Sequence, residues 1–132
     1  MRRLAITLGI LLAAKAAAAD TQAPAAPAPE LRGASFAMQD GEAIYRGICQ
    51  GCHMADAKGA VGAGSYPALA ANPRLAAAGY VVTMVLNGHK GMPAFREQFS
   101  DQQIAEVVNF VRSHFGNRFA GEVKPADVQA LR

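Results

Sequence analysis

Cys49-Gln50-Gly51-Cys52-His53 places two thiols about one helical turn apart and follows the second directly with an imidazole. The 132-residue chain has no other cysteine. Four chemistries suit thiols at that spacing: a disulfide, a thiol redox pair, half a zinc site, or covalent attachment of haem c. A structural zinc site needs four ligands, and the chain offers no second Cys or Cys/His pair. A thioredoxin-like site needs a strand–helix context, and no alternating β pattern of useful length is found. A plain disulfide gives His53 no role. Haem attachment uses the whole motif. The thiols add to two vinyl groups of a porphyrin, and His53 is aimed at the iron from one face. Gln50 and Gly51 are spacers, and small Gly51 lets the backbone run close to the macrocycle.

Around the motif the sequence spells helices. Asp40 is an N-cap for a helix over residues 41–49, with Glu42 in the first turn to favour the helix dipole and with Ile44, Tyr45 and Ile48 on one face. Asn72-Pro73 reads as a cap followed by proline at the first helical position. The helical pattern over 74–86 is expected to break at Gly79 and to stop at Asn87-Gly88. Ser100 and Gln103 form a capping box ahead of an apolar stripe of Ile104, Val107, Val108, Val111 and Phe115, with Gly116 as a left-handed cap. A glycine- and alanine-rich loop, 58–65, lies between. The expected class is all-α, three to four helices and loops packed around one covalently bound haem. So little helix surface builds no substantial core unless something else fills the centre.

The ends of the chain have a different character. Met1-Arg2-Arg3, the apolar run 4–14 and Ala17-Ala18-Ala19 have the three-part form of an export signal, with cleavage expected before Asp20. Eleven apolar residues are too few for a membrane span, which takes about 20, so no span is expected in the mature chain. Residues 20–35, with three prolines among alanines, read as an unstructured linker. The folded domain is expected over 36–118, with an extension over 119–132 that carries a short helix. The short signal looks bacterial, which places the mature protein in a periplasm. The formal charge of +3 resides in the leader, because the chain from Asp20 onward holds ten basic and ten acidic side chains. Nucleic-acid binding therefore has no electrostatic basis here.

A second iron ligand is sought far along the chain, among Met38, Met54, Met84, Met92, His89 and His114. Met92 has the most suitable context: it follows a helix stop, lies in a loop, and is stiffened by Pro93. His/Met pairs are a usual ligand set in cytochromes c. His89 is the alternative, giving a bis-histidine centre of lower potential.

The motif Cys49–His53, the Gly-rich loop, Tyr66-Pro67-Ala68-Leu69, Asn87-Gly88 and Gly91-Met92-Pro93-Ala94-Phe95 together resemble a class I c-type cytochrome, over about residues 37–117. More narrowly, the chain is similar to small single-haem cytochromes that accompany periplasmic dehydrogenases. The resemblance implies crossing N- and C-terminal helices, a hydrogen bond from His53 to the carbonyl of Pro67, and one-electron transfer with both axial positions filled. Tyr66 stands where the family often has glycine. Tyr66, Leu69, Tyr80, Val82, Leu86, Phe95 and Ile104 are candidates for lining the haem pocket, and Arg74 for meeting a propionate. Lys58, His89, Lys90 and Arg96 flank the expected haem edge, where they either steer an acidic partner or form an ordinary solvated surface. The expected function is a periplasmic electron carrier between a dehydrogenase or other donor and a terminal oxidase or other acceptor of a respiratory chain, not itself an enzyme. The alternatives are a haem enzyme or gas sensor with a labile sixth ligand, and a haem-free thiol protein.

Overall fold

The computed structural model describes residues 37–62 and 64–132. The expected leader and linker, Phe36 and Ala63 lie outside the described residues. The first helical segment opens as expected at Asp40, whose carboxylate accepts the N–H of Ala43 at 2.8 Å. It runs further than expected, through α1 (Gly41–Ile44), a π-helical turn (Tyr45–Cys49) and α2 (Gln50–His53). The N–H of Gln50 reaches back five residues to the carbonyl of Tyr45. An extra residue in one turn rotates everything after it. Ile44 and Tyr45 stay buried while Cys52, eight residues on from Ile44, is turned out to the surface.

A short antiparallel ribbon follows, β1 (Ala60–Val61) with β2 (Ser65–Tyr66), pairing Ala60 with Tyr66 and Val61 with Ser65. Among the described residues it is the one addition to the expected all-α class. The Asn72 side chain caps a 3-10 turn (Pro73–Ala76) by accepting the N–H of Arg74. The break then falls at Ala77 (φ −83°, ψ 88°), not at Gly79, which lies inside α3 (Ala78–Asn87). One reason is long-range: the buried Arg112 takes the Leu75 carbonyl with its Nε at 3.0 Å, finishing the turn from outside. Gly88 stops α3 with φ +67°.

Helix α4 (Asp101–Ser113) carries the expected Ser100/Gln103 capping box and buries Ile104, Val107, Val108 and Val111. Each such side chain stabilises by about 1.5–3 kcal/mol when fully buried, so packing rather than intrinsic propensity holds the helix. The left-handed position after its C-cap, His114, is taken by Phe115 (φ +56°), with Gly116 (φ +82°) following. Phe115 turns back onto Tyr45, ring centroids 4.8 Å apart, and Phe110 stands 5.7 Å from the same ring.

The last segment packs against α4. Asn109 both donates to and accepts from the backbone of Val123, at 2.9 and 2.8 Å, and Arg112 donates to the carbonyls of Ala120 and Gly121. Helix α5 (Pro125–Gln129) then seats Val128 fully in the core.

α1 packs against α4 through a glycine. A Cβ at Gly41 would lie 2.2 Å from the carbonyl oxygen of Glu106 and 2.7 Å from Cβ of Phe110. Helix propensity alone would make Gly41→Ala stabilising by up to about 1 kcal/mol. Overpacking against backbone reverses the sign. The substitution is expected to destabilise by about 3 kcal/mol, read as a lower urea midpoint at unchanged m-value. A stabilised variant would show that the crossing is looser than this.

Candidate functional site

His53 ends α2, and it is held at two points. Its carbonyl accepts the N–H of Gly59 at 3.1 Å, and its ring Nδ1 lies 2.9 Å from the carbonyl oxygen of Pro67. A carbonyl only accepts, so Nδ1 carries the proton and Nε2 keeps its lone pair for a metal.

The chain reaches Pro67 through a folded-back loop. Met54 (φ +67°) and Ala57 (φ +59°) reverse its direction, and the buried Ala57 carbonyl accepts the N–H groups of both Leu69 and Ala70, at 2.8 and 2.9 Å. From the other side, Asn117 donates to the Leu69 carbonyl and accepts the N–H of Asn72, and Asn72 donates to Ala68. Tyr66-Pro67-Ala68-Leu69 is thus stitched to α2 on one side and to the end of α4 on the other. Sequence reasoning missed Ala57, Gly59 and Asn117. Asn117, 3% exposed yet fully hydrogen-bonded, follows a glycine after a helix and otherwise looks like a loop residue.

The two thiols are not joined to each other. Cys49 is half-buried, and desolvation pushes its thiol up to about 12, whereas Cys52 is exposed. Burial likewise raises the Tyr45 hydroxyl to about 12, and that group donates to the Met54 carbonyl at 2.8 Å, tying the end of α2 to the aromatic cluster on α4.

The candidates for the second ligand separate by their surroundings. Met38 packs on the core, with its carbonyl accepting from Gln103. Met54 forms the turn after His53. Met84 is half-buried on α3. His114 stacks on Phe110 at 4.2 Å, with Nδ1 3.0 Å from both the Phe110 carbonyl and the Ser113 hydroxyl. Met92 sits on a closed loop: its N–H donates to the His89 carbonyl at 2.9 Å, and the N–H of His89 donates back at 3.1 Å. Gly88 is required there, because a Cβ would lie 2.4 Å from the Met92 carbonyl oxygen. The loop ends where the N–H groups of Phe95 and Arg96 donate to the Val85 and Leu86 carbonyls.

The lining candidates divide. Val82, Leu86 and Ile104 are in the solid core, Leu69 and Phe95 pack half-buried against it, and Tyr66 and Tyr80 are exposed. Lys58 pairs with Asp56 at 3.1 Å, and its N–H and ammonium hold that carboxyl below its ordinary value. Arg96 donates to Asn87 Oδ1 and to the backbone carbonyl of Arg132.

These residues fit a covalently held haem. Two thiols lie three positions apart at the end of a helical segment, and the neighbouring imidazole, its Nδ1 held by the Pro67 carbonyl, presents Nε2 for a metal. Among the described residues no helix is long and apolar enough to cross a membrane.

Comparison with known proteins agrees with this chemistry. Residues 36–111 match the family described as cytochrome C oxidase, cbb3-type, subunit III. The chain is 34% identical over 105 residues to the cytochrome c subunit of a quinone-dependent alcohol dehydrogenase from Gluconobacter oxydans (strain 621H), covering 70% of this chain and 22% of the relative. It is 36% identical over 93 residues to the fructose dehydrogenase cytochrome subunit of Gluconobacter japonicus, covering 59% and 19%. It is 34% identical over 106 residues to the gluconate 2-dehydrogenase cytochrome c subunit of Pantoea cypripedii, covering 71% and 24%. The chain therefore spans about a fifth of the length of the relatives it matches. With a family match over more than half of its residues, the chain belongs to the cbb3-type subunit III family of c-type cytochromes and carries covalently bound haem c.

Proposed function

We propose that the chain is an exported one-electron carrier, joined to haem through Cys49 and Cys52, with His53 and Met92 as axial ligands. It takes electrons from a dehydrogenase and passes them to an acceptor of a respiratory chain, in the periplasm. When bound, the haem iron supplies the redox chemistry by alternating between ferric and ferrous states.

The observation that carries this reading is the hydrogen bond from His53 Nδ1 to the Pro67 carbonyl. It fixes the tautomer, orients the ring and raises the basicity of Nε2. A thioether on a loop closed by a backbone bridge gives the second ligand little freedom to depart. Met ligation raises the potential. The dehydrogenase donor is supported by the names of the relatives, which are cytochrome subunits of alcohol, fructose and gluconate dehydrogenases.

Optical spectra of the oxidised and reduced protein, with and without carbon monoxide, test the proposal. A Soret band that resists acid extraction is expected, together with little carbon monoxide binding by the ferrous form at neutral pH. Ready carbon monoxide binding would point instead to an enzyme or sensor with a labile sixth ligand. Absence of a Soret band would point to a thiol protein.

A further inference from the structure

The proposed Met92 ligand sits on a loop whose two ends are clasped by one side chain. Asn87, the last residue of α3, precedes the loop, and Arg96 follows it. Arg96 Nη2 donates to Asn87 Oδ1 at 2.8 Å, while its own N–H is anchored on the Leu86 carbonyl at 3.2 Å. Arg132 then holds Arg96. Arg132 Nη1 donates to the Arg96 carbonyl, and Arg96 Nη1 donates to the Arg132 carbonyl. A carboxylate holds Arg132 in turn. It belongs to Asp101, with Oδ1 2.7 Å from both Nε and Nη2 of Arg132, and Nη2 also reaches the Phe99 carbonyl at 3.1 Å. Arg132 is delivered to this point by the packed final segment, whose Val128 is fully buried and whose backbone is gripped by Asn109 and Arg112.

We propose that Arg96 and Arg132 are positioning residues for the Met92 ligand: the C-terminal segment acts as a strap that keeps the 88–95 loop closed on the haem. This rests on Met92 being the axial ligand. Neither arginine touches the ligand itself. The clasp removes open conformations of an eight-residue loop, so opening the loop costs more than the His89–Met92 bridge alone would require. An exogenous ligand binds only when Met92 has departed, and its apparent affinity scales with the fraction of protein in that open state.

The test is the affinity of the ferric holoprotein for imidazole, measured together with melting temperature. Arg96→Gln and Arg132→Gln are each expected to tighten imidazole binding about tenfold, and the double variant is expected to gain little beyond either, because the two act through one clasp. Asp40→Ala serves as the comparison. It removes a helix cap remote from the loop, worth a similar loss of stability, and its imidazole affinity is expected to match the parent. Unchanged affinity in both arginine variants, or an equal rise in Asp40→Ala, overturns the strap. Met92→Ala distinguishes the two levels. If it leaves imidazole affinity at the parent value, the ligand assignment fails and the strap with it. If it raises affinity while the arginine variants do not, only the strap fails.

Discussion

Met92→Ala is expected to abolish the far-red sulfur-to-iron absorption of the ferric protein and to let the ferrous protein bind carbon monoxide at neutral pH. The reduction potential should fall, because a thioether stabilises the ferrous state relative to the ligands that replace it. The fold itself should survive, since the loop is closed by main-chain hydrogen bonds that alanine keeps. Met84→Ala is the necessary companion. Met84 is half-buried on α3 between Val81, Val82, Val85 and Leu86, and truncating it should cost up to about 2 kcal/mol while leaving the band intact. The reverse pattern, with the band lost in Met84→Ala and kept in Met92→Ala, would overturn the assignment. His89→Ala closes the remaining route: a bis-histidine centre would show no sulfur band in the parent and would respond to this substitution.

How well the sequence could be read follows from how local each determinant is. Asp40, Asn72-Pro73 and Ser100 with Gln103 act on N–H groups two or three residues away, so these helix starts were readable one by one. The stripe of α4 is periodic over three turns and was equally plain. The π-helical turn at Tyr45–Cys49 has no such local sign, because the residues that form it also suit an ordinary helix. Two-residue strands are too short for alternation to show. The break at Ala77 and the packing of the final segment depend on Arg112, which looks like the solvent-facing arginine of an amphipathic helix yet is buried and donates from each of its three guanidinium nitrogens to a carbonyl, of Leu75, Gly121 and Ala120. At the site, the five-residue motif carries its chemistry within itself. The partner of His53 lies fourteen residues on, where a loop must fold back, and one glycine among several makes that possible.

That glycine is Gly59, and Gly59→Ala is expected to change both stability and redox behaviour. Gly59 has φ +69°, a conformation that costs alanine about 1 kcal/mol. Space is the larger obstacle. An added Cβ would lie 2.1 Å from the Tyr66 carbonyl oxygen, 2.8 Å from the Pro67 carbonyl carbon and 3.0 Å from the Ala68 nitrogen. All three are backbone atoms, so no rotamer change relieves the clash, and strand β2 must move away from β1. Pro67 moves with it, stretching the 2.9 Å contact to Nδ1 of His53, the proposed axial ligand. The total loss of stability should be about 3 kcal/mol. With its acceptor withdrawn, the imidazole becomes a weaker donor and stabilises the ferric state less. The potential should therefore rise, by about 60 mV if the ferric-to-ferrous balance shifts tenfold for a one-electron couple. Gly62, in the same loop, has open space around its Cβ position and no unusual φ. Gly62→Ala should accordingly stay within about 0.5 kcal/mol of the parent and leave the potential unchanged. A destabilised Gly59→Ala protein with an unaltered potential would mean that the ribbon holds the fold together without setting the proximal hydrogen bond.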